Sequence, residues 1–229
     1  MDTVARREAF ERYLRDVPML HSWDDGRTWN SGGFGHHHLT ALFELVQTPQ
    51  VRAFRVLETG AGNSTLCFLL AGAAAVTSIA PDRELFARIL AYCAVAGIST
   101  SAWNAVADMS ERALPGIAAK ARETGDLIDF VLIDGSHGWP AVFVDFCYAY
   151  SMLRQGGHMM IDDIQIHAVK ELARFMSRSW LFELVRDLGK SLVFQKVAEQ
   201  TWMGDFGGQR YIMDRMDQDR AAGSDYILF

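Results

Sequence analysis

The sequence predicts an α/β fold, doubly wound around a mainly parallel sheet of seven strands, with a helical extension at the N-terminus. From Phe54 onward, apolar runs of strand length alternate with segments of helix length. These runs are apolar throughout, as expected for strands that helices cover on both faces. The 229 residues are enough to bury one full core, and a composition of 50% hydrophobic and 22% charged residues excludes wholesale disorder.

The elements follow one another in a regular order. The predicted strands are 54–57, 75–79, 100–106, 130–133, 158–161, 182–185 and 192–196. The predicted helices between them are 64–72, 83–96, 111–121, 140–153 and 166–177. The last two strands have no helix between them, which favours a closing strand pair at one end of the sheet. We assign residues 1–50 to a helical extension or cap, 51–200 to the main domain and 201–229 to a C-terminal tail or lid, within a single domain overall.

Charge and hydropathy exclude several classes of protein. Lysine and arginine number 22 against 28 aspartates and glutamates, and the net charge of −6 repels phosphates, so we expect no nucleic-acid partner. The longest apolar run, 68–76, is too short to cross a bilayer, and the N-terminus lacks the apolar core of a signal peptide. We therefore expect no membrane partner and a cytoplasmic location. The sequence leaves the oligomeric state open, including the possibility of a homo-oligomer.

The three cysteines carry no pairing signal. Cys67, Cys93 and Cys147 lie far apart in the sequence, and no CxxC motif is present. An odd, scattered set argues against a disulfide scaffold or a zinc site. We expect three reduced cysteines on helices that face the core.

A glycine-rich turn joins the first predicted strand to the first helix of the main domain. It reads Glu58-Thr-Gly60-Ala-Gly62-Asn63-Ser64, followed by Thr65. Gly60 and Gly62 allow a sharp turn and a close approach of the backbone to a ligand, and the next helix offers free N–H groups to an anion. Such a turn also fits a plain connection between strand and helix. Because Thr65 stands where a dinucleotide-binding motif has its third glycine, a nicotinamide cofactor is disfavoured.

This turn resembles the first motif of class I S-adenosylmethionine-dependent methyltransferases, a family whose Rossmann-like sheet has seven strands. The resemblance covers about residues 54–196. It implies that S-adenosylmethionine is the cofactor. It also implies that the acidic residue and the glycine backbone hold the methionine portion of that cofactor. The implied cofactor-binding residues at the turn are Glu58, Gly60, Gly62, Asn63 and Ser64.

The second and third strands match the family pattern less well. The family has an acidic residue at the end of the second strand for the ribose hydroxyls, and Ala80 stands there in this chain. Asp82, two residues later, either replaces that acid or begins the next helix. After the third strand, the family's loop flanks the adenine, which makes Asp108 a candidate cofactor contact. We expect Ser110 to cap the following helix.

Three carboxylates end two neighbouring predicted strands. Asp134 follows the fourth strand, and Asp162 and Asp163 follow the fifth. Neighbouring strands lie about 4.8 Å apart, so three acids at this edge repel one another unless a cation or a basic residue neutralises them. Oxygen ligands suit magnesium, calcium or manganese. Helix caps or ion pairs with basic residues are the alternative explanations.

The same acids resemble the metal site of small-molecule O-methyltransferases, in the group that includes the cephalosporin-hydroxylase-like proteins of methyltransferase family 24. The resemblance implies that Asp134, Asp162 and Asp163 bind Mg²⁺ or another divalent cation, and that Asp134 also lies against the cofactor. It implies a small hydroxylated molecule as substrate. His137 lies three residues after Asp134, at the position where the family has its general base. Its alternative role is to order the loop before the next helix.

Other functions stay open at this point. A protein of the methyltransferase fold with other chemistry, such as hydroxylation, fits the same acids. A non-catalytic cofactor-binding protein fits the missing acid at Ala80. The run Ser31–His38 contains three adjacent histidines, which point in different directions on a helix and make a poor joint metal site. Because the corresponding segment of related methyltransferases lies beside the cofactor, Gly33 and His38 are further candidates.

Overall fold

The computed structural model describes residues 3–22, 24–47, 54–200 and 202–222. It contains one seven-stranded sheet in the order β3-β2-β1-β4-β5-β7-β6, which confirms the predicted doubly wound fold. The strands are β1 (Arg55–Thr59), β2 (Ala75–Ile79), β3 (Trp103–Val106), β4 (Ile128–Ile133), β5 (Leu153–Ile161), β6 (Phe182–Asp187) and β7 (Leu192–Lys196). Strands β1 to β5 are parallel, and β7 lies antiparallel between β5 and β6.

Eight helices lie in the described residues. They are α1 (Thr3–Arg15), α2 (His36–Val46), α3 (Asn63–Ala71), α4 (Arg83–Ala96), α5 (Ser110–Thr124), α6 (Ala141–Met152), α7 (His167–Arg178) and α8 (Arg210–Ala221). Most predicted ends differ from the structure by three residues or fewer, including β3, which begins later than predicted. The largest difference is in β5, which begins at Leu153, directly after α6, with no loop between. The predicted domain boundaries fall at residues 48–53 and at 201, outside the described residues.

The sheet separates two apolar cores. One core lies on the side of α3 and α4 and includes α1 and α2, so the predicted N-terminal extension packs as part of the domain. Its centre holds Phe10 and Phe43, whose rings stack with centroids 4.0 Å apart. The other core lies among α5, α6 and α7. Strands covered on both faces need apolar residues at successive positions, which explains the buried apolar run Phe130–Ile133 in β4.

The cysteine prediction is correct in part. Cys67 on α3 and Cys93 on α4 are buried. Cys147 is exposed because α6 turns Phe146 and Tyr150 toward the core and Cys147 away from it. Within the described part of the chain, no helix has the length and apolar character needed to cross a membrane.

Candidate active site

The glycine-rich turn lies where the ends of β1 and β4 approach each other. Gly60 has φ +91° and donates its N–H to the carbonyl oxygen of Ile79 at 2.8 Å. A β-carbon at Gly60 would lie 2.3 Å from the carbonyl oxygen of Asp134. Neither the φ angle nor this distance admits another residue, so the sharp turn predicted for Gly60 has a steric cause.

Glu58 lies behind this turn and is completely buried. Its carboxylate accepts hydrogen bonds from the hydroxyls of Ser64 and Ser78, each at 2.6 Å, and from Thr65. Burial raises the pKa of Glu58 to about 7, although the three hydroxyls oppose this shift. The carboxylate thereby ties the first turn of α3 to β2. Direct contacts of Glu58 and Ser64 with a cofactor stay predictions.

The N-terminal extension covers the outside of the turn through residues that the sequence analysis did not single out. Tyr13 donates its hydroxyl to Asn63 Oδ1 at 2.9 Å, and Asn63 donates to the carbonyl oxygen of Pro18 at 3.4 Å. His21 Nε2 lies 2.6 Å from the carbonyl oxygen of Ala61. No local pattern indicates these contacts, because they join residues 40 or more positions apart.

Asp82 caps helix α4. Its Oδ1 accepts hydrogen bonds from the backbone N–H groups of Glu84 at 2.8 Å and Leu85 at 3.0 Å. Its Oδ2 lies 3.2 Å from the guanidinium of Arg88. Of the two alternatives for Asp82, the structure favours the start of the helix, because the carboxylate is engaged on both oxygens. Ala80 is buried at the end of β2.

The loop after β3 differs from the prediction in one detail. Met109, and not Ser110, stands at the N-cap of α5, and Ser110 is the first helical residue. Asp108 accepts a hydrogen bond from the Met109 N–H at 2.8 Å and lies 3.6 Å from Arg112. The Asp108 side chain is 43% exposed, so it remains accessible to a ligand at this edge.

Asp134, His137 and Asp163 form one cluster at the carboxyl edge of the sheet. His137 Nε2 lies 3.5 Å from an Asp134 oxygen and 3.9 Å from an Asp163 oxygen. One donor atom of each residue lies within 4.8 Å of the others. Asp163 has a φ of +57°, a rare backbone conformation for a residue other than glycine. The structure therefore brings together three of the four residues that the sequence assigned to metal binding and base catalysis.

The charges of the cluster affect one another. Burial raises the pKa of Asp134 to about 6, and the neighbouring His137 opposes the shift. Contact with the Asp134 carboxylate raises the pKa of His137 above its ordinary value, although burial opposes this change. His137 Nε2 is buried and makes no hydrogen bond within the residues that the structure describes. Two carboxylates facing an imidazole nitrogen without a hydrogen bond fit a divalent cation, with oxygen ligands suited to magnesium or manganese.

Asp162 is held apart from this cluster. It is 1% exposed, accepts a hydrogen bond from the Ser191 hydroxyl, and accepts another from Lys190 Nζ at 2.7 Å. Lys190 also donates to Asp163 at 3.1 Å. Burial lowers the pKa of Lys190, but Asp162 and Asp163 outweigh this effect and raise it above its ordinary value. Both Asp162 oxygens are engaged, so the structure does not place Asp162 among the atoms that face a cation.

Lys190 is the main site residue that sequence reasoning missed. It lies in the hairpin between β6 and β7, and β7 pairs with β5, so the hairpin reaches the end of β5. Its ammonium also donates to the carbonyl oxygen of Gly32 at 2.7 Å and lies 5.1 Å from the centre of the Phe34 ring. The sequence indicated the closing strand pair that carries Lys190. It did not indicate that this pair lies beside β5, which is what brings Lys190 to the site.

The histidine run has one member near this hairpin. His38 is buried, and its ring centroid lies 5.6 Å from that of Phe34. Burial lowers the pKa of His38. Gly33 donates its N–H to the carbonyl oxygen of Asn30 at 3.0 Å and is part of a local turn. Contacts of Gly33 and His38 with a cofactor stay predictions.

The sheet order, the glycine-rich turn and the acids at the strand ends define a class I methyltransferase domain. Residues 57–164 match the family model Methyltransf_24, which is described as a methyltransferase domain. The predicted resemblance to class I methyltransferases is therefore confirmed over this part of the chain, which is somewhat less than half of its length. Comparison with curated proteins gives no match.

Solved structures share the fold at low sequence identity. The O-methyltransferase TomG from Streptomyces achromogenes, solved with S-adenosylmethionine, is 16% identical with a TM-score of 0.61, covering 86% of this chain and 92% of TomG. An O-methyltransferase from Bacillus cereus in complex with SAH is 14% identical with a TM-score of 0.59 and the same coverage. An rRNA methylase from Streptococcus thermophilus is 16% identical with a TM-score of 0.50, covering 68% and 94%. Since proteins of this fold include both O-methyltransferases and an rRNA methylase, the shared fold leaves the substrate open.

Proposed function

We propose that this protein is an S-adenosylmethionine-dependent O-methyltransferase that acts on a small hydroxylated metabolite. The cluster of Asp134, His137 and Asp163 carries this proposal, because it lies beside the glycine-rich turn through the contact between Gly60 and Asp134. A methyl donor at the turn and a hydroxyl at the cluster would therefore be neighbours. The fold shared with O-methyltransferases supports this assignment.

Asp134 and Asp163 are the carboxylates that would hold a divalent cation. When bound, such a cation supplies Lewis-acid chemistry that lowers the pKa of a hydroxyl. Asp163 keeps its charge over a wide range of pH, because Gln165 and Lys190 outweigh its burial and lower its pKa. The resemblance made Asp162 a third ligand, and in the proposed site its charge is balanced by Lys190 instead.

His137 is the proposed general base. Its imidazole would take the proton from the substrate hydroxyl. When bound, S-adenosylmethionine would supply the methyl group to that oxygen and would leave as S-adenosylhomocysteine. Because contact with Asp134 raises the pKa of His137, the protonated product of this step is stabilised. Asp134 and His21 pack where side chains at Gly60 and Gly62 would begin, so the two glycines hold the turn close to both residues.

A small-molecule substrate fits the charge of the chain. The net charge of −6 disfavours a phosphate backbone. A neutral or cationic molecule with a free hydroxyl has no such barrier. We therefore infer that nucleic acids are not substrates.

The first test is binding of S-adenosylmethionine to chelator-treated protein by calorimetry, without and with magnesium, in the wild type and in Asp134→Ala. We expect cofactor binding in the wild type and a separate magnesium signal that Asp134→Ala loses. The second test is incubation with a panel of hydroxylated metabolites and mass spectrometry, where O-methylation adds the mass of one methylene. Addition of an oxygen atom instead would assign hydroxylase chemistry. Absence of cofactor binding would overturn the proposal.

A further inference from the structure

Two adjacent carboxylates at the end of β5 have different surroundings. Asp162 is 1% exposed, and its oxygens accept hydrogen bonds from Lys190 and Ser191. Asp163 is less buried, and one of its oxygens lies 3.9 Å from His137 Nε2. The positive φ of Asp163 turns the chain between these two positions. The pair is therefore divided between the interior and the site.

The ammonium of Lys190 is fully engaged. It donates to Asp162 at 2.7 Å, to Asp163 at 3.1 Å and to the carbonyl oxygen of Gly32 at 2.7 Å, which accounts for its three protons. The side chain is 24% exposed, so solvent screens these contacts only in part. A lysine bound in this way is a fixed charge and has no proton left to donate to a substrate.

The balance of charges near the strand ends also separates Asp162 from Asp134 and Asp163. Asp134, Asp162 and Asp163 carry three negative charges when ionised, and the positive charge of Lys190 brings the net charge of the group to −2. That is the charge which one divalent cation balances. If Asp162 turned toward the cation, Lys190 would lose its closest carboxylate partner in a partly buried place, at a large cost.

We propose that Lys190 is a positioning residue: its ammonium is the permanent counter-ion of Asp162 and leaves Asp134 and Asp163 as the carboxylates available to a divalent cation. This inference rests on the proposed function only in locating the cation beside His137. It departs from the three-acid pattern that the resemblance implied. It predicts different effects for substitutions of Asp162 and Asp163, although the two residues are neighbours in the sequence.

The experiment measures binding of Mn²⁺ alone to the chelator-treated full chain, by the electron paramagnetic resonance signal of the free ion. Asp163→Asn is expected to weaken Mn²⁺ binding by about tenfold or more, whereas Asp162→Asn changes it by less than about threefold. Lys190→Met releases Asp162 as an additional ligand and is expected to tighten binding by about fivefold or more. The double variant Lys190→Met with Asp162→Asn loses this gain.

Two controls separate the charge from general effects. Lys190→Arg keeps the positive charge and is expected to bind Mn²⁺ as the wild type does. Lys120→Met removes an exposed lysine on α5 and is expected to change nothing. Circular dichroism monitors folding. If Lys190→Met does not fold, the comparison of Asp162→Asn with Asp163→Asn tests the inference by itself.

Equal loss of Mn²⁺ binding in Asp162→Asn and Asp163→Asn would overturn the inference, since Asp162 would then be a ligand. Unchanged binding in a folded Lys190→Met variant would also overturn it, as would the absence of binding in both this variant and the wild type. Binding of S-adenosylmethionine is measured separately on the same samples. A failed inference with intact cofactor binding is therefore distinguished from a failure of the proposed function.

Discussion

The carbonyl oxygen of Asp134 lies 2.3 Å from the point where a side chain at Gly60 would begin. The end of β4 thus touches the turn that follows β1, and the two halves of the candidate site meet at backbone level. This contact requires glycine for two reasons, the approach itself and the φ of +91°. The glycine-rich turn and the acidic cluster are therefore linked by main chain, which holds their separation more firmly than side chains would.

Gly60→Ala is expected to lower the free energy of unfolding by about 3 kcal/mol and to abolish cofactor binding, since both the clash and the strained φ must be relieved. Gly97→Ala is the matched control, with a φ of +66° and no atom within 4 Å of the added carbon. We expect it to cost only about 1 kcal/mol. Urea unfolding and calorimetry measure both quantities. Equal costs in the two variants would show that the approach to Asp134 has no energetic weight.

Glu58→Gln is expected to change the pH dependence of stability. Burial raises the pKa of Glu58 from 4.5 to about 7 in the folded chain, so its contribution is complete below 4.5 and is lost as the pH rises through 7. The wild type therefore loses stability relative to Glu58→Gln between about pH 5 and pH 8, by an amount on the order of 3 kcal/mol. Urea unfolding at both pH values tests this, with exposed Glu123→Gln as control. A constant difference between the two proteins would show that Glu58 does not titrate in this range.

His137→Ala is expected to lower kcat by about a hundredfold or more, with cofactor affinity unchanged, because the residue removes a proton and does not hold S-adenosylmethionine. Since contact with Asp134 raises the pKa of His137 above 6.5, the rate of the wild type should rise with pH through a value above 6.5. The pH profile of kcat measures this. His167→Ala, at the exposed start of α7, should keep both rate and profile. If His137→Ala kept the wild-type pH profile of kcat, another residue would be the general base.

Asp82 is expected to act through helix α4 and not through the ribose. Asp82→Ala removes the cap and should lower the free energy of unfolding by about 1 kcal/mol, whereas Asp82→Asn keeps a capping oxygen and should cost only a few tenths. Calorimetry with S-adenosylmethionine should show unchanged affinity for Asp82→Asn. A marked loss of affinity in this variant at wild-type stability would restore the ribose-binding role.

Local patterns predicted most of the fold. The apolar runs located all seven strands, and the spacing of Gly60 and Gly62 located the turn, because each signal depends on a few adjacent residues. The cover formed by Tyr13 and His21 was not predictable in this way. Their partners lie 40 or more residues away, and the packing of the N-terminal extension decides that contact.

The acidic pair shows where sequence reasoning reaches its limit. Asp162 and Asp163 were both placed at the correct edge, since both follow the end of β5. Adjacent residues of an extended chain point in opposite directions, however, so a shared role for both required a specific backbone conformation. Which of the two faces the site depends on Lys190, whose position follows from strand pairing and not from any motif.

The insertion of β7 between β5 and β6 has a consequence for biosynthesis. Asp162 leaves the ribosome 28 residues before Lys190, the lysine that neutralises it. The edge of β5 also stays unpaired until the same hairpin has been synthesised. A nascent chain that ends before Lys190 therefore exposes both an unpaired strand edge and an uncompensated set of acids. The strand that pairs with β5 and the lysine that balances Asp162 therefore belong to one segment of the chain, so chains that end before Lys190 lack both.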